Sequence, residues 1–230
     1  MKIAKIYLFG VYVDMTPIIT KLDKSFASFA QDTMARRRPD RNYVISQLQH
    51  YQTQYNKNGL FRDFLVRLEA FALGMEDANL LDIAGMVFSK LAKLPTTDEM
   101  KEQFLRGGLR IARKQRDPIH TLARIVDLKK LYEKNGDTHS RFKMLFSEEK
   151  ALTTIVENFG QAQKKYRTVS KDVSPFDKYR LQLARTKVDL AKKLRPNEAY
   201  SRLIEARGIF ADLGYSKELH FVERMLTRIS

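Results

Sequence analysis

Apolar residues return every three or four positions through most of this 230-residue chain, the spacing that gathers them on one face of an α-helix. Ile18, Leu22, Phe26 and Phe29 form the first such stripe. Thr16-Pro17 opens it with a capping hydroxyl and a proline at the first helical position, and Pro39 should stop it near Arg36 to Arg38. From Asp40 a second stripe, Val44, Leu48, Tyr51 and Tyr55, runs to the stop signal Asn58-Gly59. A third helix carries Phe61, Phe64, Leu65, Leu68, Phe71 and Ala72 and should stop at Gly74. A fourth holds Leu80, Ala84, Val87, Phe88 and Leu91 and ends before Pro95. These two are the most apolar helices and are expected to be central.

Thr97 caps a fifth helix to about Gln115, with Met100, Phe104, Leu105, Leu109 and Ala112 inward. Asp117-Pro118 starts a sixth, with Ile119, Leu122, Ile125, Val126, Leu128 and Tyr132, which stops at Asn135-Gly136-Asp137. A short segment with Phe142, Leu145 and Phe146 follows. Ser147-Glu148-Glu149 then reads as the opening of a helix to Arg167, its carboxylates favoured by the positive end of the helix dipole. A polar connection, Thr168 to Ser174, leads to two helices between Tyr179 and Gly214, broken at Arg195-Pro196-Asn197. A last helix runs from Ser216 to Ile229.

Residues 3 to 13 depart from this rhythm. They are rich in Ile, Tyr, Phe and Val, strand-like in composition and too short for a helix, and no convincing second strand follows. The segment reads as an apolar arm packed on its own domain, an edge that pairs between subunits, or a misread helix. The rest predicts an all-α protein, an antiparallel helix-hairpin array of the α-solenoid kind. Its helices are of similar length, each has one apolar face that only a neighbour can cover, and short turns favour antiparallel neighbours. The expected boundary at Pro39-Asp40 separates an arm and first helix, 1–38, from a helical-repeat domain, 39–230.

The clearest pair carries a resemblance. Leu183, Leu190, Ala199, Leu203 and Ala206 lie across a proline-containing turn, and this stretch resembles a tetratricopeptide repeat, with large residues on one helix and small ones where the second packs against it. Phe210-Ala211-Asp212-Leu213-Gly214-Tyr215 is similar to the handover to a following helix, and Lys130 to Asp137 to the inter-helix turn. The sequence departs from the pattern at Lys187, where a small residue is usual, and at Ala211, where a proline is. The resemblance implies peptide or protein binding on a concave face.

Composition narrows the function classes. Forty-two Lys+Arg against 27 Asp+Glu leave a formal charge of +15, which favours acidic partners: nucleic acid, anionic lipid or an acidic protein surface. The chain has no cysteine, so disulfides, thiolate nucleophiles and cysteine metal sites are excluded. Its longest uncharged apolar run, Ile6 to Val13, is far below the ~20 residues that span a bilayer. Lys2 and Lys5 ahead of that run resemble the start of a signal peptide, but Asp14 ends it and no small-x-small cleavage site follows. A cytoplasmic protein is the expectation.

No residues gather as nucleophile, base and orienting group, so no catalytic residue, cofactor or metal ligand is assigned. The four histidines are scattered, and His220 with Glu223 reads as an ordinary contact between residues three apart on a helix. Arg106-Gly107-Gly108 lacks the spacing and lysine of a phosphate loop and reads as a place of close helix packing. Basic residues remain. Arg106, Arg110 and Arg113 make one stripe on a helix, with Lys114 and Arg116 beside it; Lys164, Lys165 and Arg167 end one helix, and Lys192, Lys193 and Arg195 another. Residues 101–150 carry 13 basic against 7 acidic residues, and residues 151–200 carry 11 against 5. Helix C-terminal electrostatics account for two of these clusters without any ligand; the Arg106 stripe is mid-helix. The expected function is that of a non-enzymatic scaffold or adaptor binding an acidic segment of a protein partner through a basic helical-repeat surface. The alternatives are a nucleic-acid backbone binder using the same cations, and a structural subunit whose oligomeric contact is residues 3–13.

Overall fold

The computed structural model describes residues 5–8, 11–14, 16–165 and 175–229, with side chains for 17–159 and 176–229. Two strands, β1 (Lys5–Leu8) and β2 (Val11–Asp14), precede ten helices among the described residues: α1 (Thr16–Ala35), α2 (Arg41–Lys57), α3 (Phe61–Asp77), α4 (Leu81–Leu91), α5 (Asp98–Lys114), α6 (Pro118–Lys134), α7 (Thr138–Lys165), α8 (Pro175–Ala191), α9 (Pro196–Asp212) and α10 (Ser216–Ile229). The protein is an all-α array in which helices pack on their chain neighbours. No described helix is long and apolar enough to cross a membrane. The segment expected to hold a lone strand pairs with itself: β1 and β2 are antiparallel, with Lys5 opposite Asp14 and Leu8 opposite Val11. The expected polar connection, 168–174, and Arg167 lie outside the described residues.

The chain divides into two compact units, residues 1–111 and 112–230, the division falling within α5. The expected boundary at Pro39-Asp40 lies inside the first unit, where α1 packs on both α2 and α3. Aromatic rings fill that junction. Phe29 stacks on Phe71 with centroids 5.3 Å apart, and Phe26 meets Tyr51 edge-on at 5.1 Å, the arrangements that ring quadrupoles favour. The Tyr55 hydroxyl donates to Asp23 Oδ1 at 2.8 Å and Arg67 Nε donates to the same oxygen at 3.0 Å, so one carboxylate of α1 ties α2 and α3. Burial, then this bond, push the Tyr55 hydroxyl well above the ordinary tyrosine range. Between α4 and α5 the Phe88 ring packs so closely on the backbone of Gly107 that a Cβ there would lie 2.5 Å from it. The close packing expected at Arg106-Gly107-Gly108 is present.

One turn recurs in both units. The backbone N–H groups of Leu60, Leu80, Asp117, Asp137 and Tyr215 donate to the carbonyls of Tyr55, Met75, Ala112, Tyr132 and Phe210 at 2.8 to 3.1 Å. In each the residue before the donor, Gly59, Asn79, Arg116, Gly136 or Gly214, has a φ between 54° and 74°. This is the Schellman closure of a helix, a left-handed residue followed by a bond reaching back over the last turn. The accepting residues are all buried, so each turn hangs from a core position. After two of these turns the next helix starts at once: Asp117 accepts from the N–H groups of Ile119 and His120 in α6, and Asp137 accepts from Ser140 N at 2.9 Å in α7; Asp40 caps α2 in the same way. α2, α3, α5, α6, α8 and α9 are each 17 residues long, and all of these but α8 end in this closure.

Two expected boundaries are corrected. The third helix continues through Gly74 to Asp77, because the residue that turns left-handed is Asn79. The short segment and separate helix expected around Ser147 are one 28-residue helix, α7. Gly136 and Asp137 have already supplied a stop and a cap, and no glycine or proline interrupts the chain between Thr138 and Glu149. Glu148 and Glu149 are therefore mid-helix and cannot act on a helix N-terminus.

Candidate binding cleft

Where α5 hands over to α6, the Schellman turn places Arg116 at the left-handed position, with φ 54°. Three of the other four turns use glycine there and one uses asparagine, the residues to which this conformation costs least. Arg116 sits on the rim of a cleft of about 650 Å³ in the second unit, lined also by Arg113, Asp117, Pro118, Thr121, Ser147, Lys150, Ala151 and Thr154. Helical spacing explains the far wall: Ser147, Lys150, Ala151 and Thr154 recur at three- and four-residue steps and share one face of α7.

The chemistry of the lining is cationic. Arg113, Arg116 and Lys150 are exposed, and none makes an ion pair among the described residues. Asp117 is committed elsewhere. Its Oδ1 accepts from the N–H groups of Ile119 and His120 at 3.0 and 2.9 Å, and Oδ2 lies 2.6 Å from His120 Nδ1. Burial works against its charge, but the hydrogen bonds from His120 and Ile119 outweigh it and hold the carboxyl below the ordinary aspartate range. The Thr154 hydroxyl donates back to the Lys150 carbonyl at 3.0 Å, and Thr121 and Ser147 also line the cleft. The site can accept an anion; it holds no nucleophile paired with a base.

The expected arginine stripe is split by its environment. Arg106 Nε donates to Glu102 at 2.8 Å. Arg110 grips Glu76 of α3 through Nε and Nη2 at 3.0 and 2.7 Å, and lies 5.9 Å over the Phe88 ring. The bond to Glu76 raises its already high pKa despite partial burial. Arg113 alone of the three lines the cleft. Lys114 is exposed at the end of α5. Lys164 and Lys165 belong to the last turn of α7, with side chains outside the described residues, as is Arg167. Lys192 pairs with Asp189 at 2.7 Å and lies 5.8 Å from the Phe221 ring. Lys193 and Arg195 are exposed, Arg195 at the N-cap of α9 without a capping side-chain bond. Sequence reasoning placed Arg116 only beside the stripe and missed Lys150, Thr121 and Ser147; the readable signal was an arginine in a turn slot otherwise held by Gly or Asn.

A second charged cluster in this unit is internal. Glu148, 1% exposed, receives Lys129 of α6 and, at 2.9 Å, the Gln182 amide of α8. Its neighbour Glu149 receives Lys187 Nζ of α8 at 2.9 Å and Arg202 Nη2 of α9 at 3.2 Å, and Lys187 also reaches Glu205 at 2.8 Å. Two adjacent carboxylates of α7 thus hold three helices. His220 Nδ1 lies 3.3 Å from Glu223 Oε2, the ordinary contact expected. Among the described residues no group of three or more His, Asp or Glu is placed to hold a metal ion. No protein-family model matches the chain, and no curated protein does.

Proposed function

We propose that the protein is a non-enzymatic adaptor, a helical array of tetratricopeptide-like pairs, whose second unit receives an acidic segment of a partner protein in the cleft of Arg113, Arg116 and Lys150. The observation that carries the reading is the contrast along α5. Arg106 and Arg110 are neutralised by carboxylates of the chain itself, while Arg113 and its cleft neighbours are left for an outside anion. The likeness to tetratricopeptide pairs draws support from α8 and α9, where Leu183, Leu190, Ala199, Leu203, Ala206 and Phe210 are all buried. Lys187, the departure from that pattern, is accommodated by its ion pairs with Glu149 and Glu205.

Charged hydrogen bonds contribute about 1.5–3 kcal/mol each, so reversing two cleft cations should weaken an acidic peptide by at least ~100-fold. Fluorescence anisotropy with a labelled glutamate-rich peptide checks this on Arg113→Glu plus Lys150→Glu. Unchanged affinity rejects the cleft. Tighter binding of a random RNA than of the peptide, with the steep salt dependence of phosphate neutralisation, rejects the adaptor reading in favour of a nucleic-acid one.

A further inference from the structure

Resting on that reading, we propose that the cleft is a phosphate pocket, and that the acidic segment it takes carries a phosphorylated serine or threonine. Three cations, Arg113, Arg116 and Lys150, face one carboxylate, Asp117, leaving a local excess of about +2, the complement of a phosphomonoester at −1.5 to −2. A carboxylate would leave about half of that excess uncompensated. The donor set agrees. Arg113, Arg116, Lys150 and the hydroxyl-bearing Thr121 and Ser147 line the cleft from α5, the turn, α6 and α7, more directions than the single plane of a carboxylate can use, and suited to three tetrahedrally disposed phosphate oxygens. The first N–H groups of α6 are closed by Asp117, so the pocket works through side chains and is not a bare helix end.

The form of the cations argues for a point anion over a nucleic-acid backbone. A phosphodiester chain needs a track of free cations, and the stripe along α5 is interrupted where Arg106 and Arg110 turn to Glu102 and Glu76. Arg116 adds an independent indication. It stands in a left-handed turn position at which the other turns carry glycine or asparagine, and backbone strain of this kind persists where a site uses it.

Arg116→Gly removes the guanidinium while giving the turn its preferred residue, so the fold should survive, and the Tm of the variant separates loss of binding from loss of fold. The measurement is anisotropy of three fluorescein-labelled peptides, glutamate-rich and identical except for a central phosphoserine, glutamate or serine, against wild type, Arg116→Gly and Lys150→Gln. The proposal expects the phosphoserine peptide to bind about tenfold tighter than the glutamate peptide, with that preference lost in both variants and with inorganic phosphate competing. If the phosphoserine and glutamate peptides bind equally, and both weaken in the variants, the phosphate inference is overturned and the adaptor reading stands. If none of the three peptides binds wild type, both are overturned.

Discussion

Arg116 is the residue at which fold and function ask for different side chains. An L-residue in the left-handed region costs about 1–2 kcal/mol, and glycine gives back roughly 0.4–1 kcal/mol of that through the freedom of the unfolded chain. Arg116→Gly should therefore stabilise the protein by about 0.5–1 kcal/mol, a rise in Tm of about 1–4 °C for a chain of this length. Thermal denaturation of the variant checks this, and an unchanged or lower Tm would show that the Arg116 side chain contributes packing that outweighs the strain. The turn itself was half legible in the sequence. Asn58-Gly59, Asn135-Gly136 and Gly214 announce a stop by composition, but Asn79 and Arg116 reach the same φ without glycine. What puts them there is the core residue five positions before the bond donor, Met75 or Ala112, and that is a tertiary cause. For the same reason Arg113 could be nominated from helical spacing, whereas Lys150 became a cleft residue only once α7 was laid beside α6.

Among the elements, α7 departs furthest from what its sequence suggested, and its two glutamates show why. Read locally, Ser147-Glu148-Glu149 looks like a capped helix start, because a serine followed by acids favours a helix N-terminus. In the folded chain both are mid-helix, Glu148 buried and Glu149 half-buried, against cations of α6, α8 and α9. Breaking one member of a buried pair costs about 3–5 kcal/mol because the survivor is left charged without a partner. Lys129 is 21% exposed on its side chain, so solvent recovers part of this, and Glu148→Gln is expected to cost about 2–3 kcal/mol. Urea denaturation of Glu148→Gln, Lys129→Met and the double variant gives the coupling. The double should recover at least about 1 kcal/mol of the summed loss, and strictly additive losses would mean that the Gln182 bond, not the ion pair, holds the site. The N-terminal hairpin was missed for a different reason. The run from Ile6 to Val13 contains a single turn residue, Gly10, so composition showed one strand where pairing shows two.

At the scale of the whole molecule, charge acts on stability and on binding with opposite signs. A formal +15 on 230 residues repels itself in the folded state. The exposed pairs that oppose it, such as Arg185 with Glu218 or Lys192 with Asp189, are weak and are screened by the same ions. Salt shortens the screening length from about 10 Å at 0.1 M to about 3 Å at 1 M, which relieves the long-range repulsion more than it weakens contacts under 4 Å. NaCl over that range should therefore raise the Tm of the free protein by about 2–4 °C, equivalent to about 1 kcal/mol. An anion in the cleft behaves the other way. At one hundred times its Kd a ligand stabilises by about 2.7 kcal/mol, a shift of about 5–10 °C, but its Kd rises as the cleft cations are screened. A thermal scan with a fixed concentration of phosphoserine peptide should show the peptide-induced shift shrinking towards zero at 1 M while the peptide-free baseline climbs. If the free protein instead loses stability with salt, its surface pairs outweigh its net charge. If the peptide shift survives at 1 M, the contact is apolar, and the exposed Ile119 at the start of α6 becomes the side chain to mutate next.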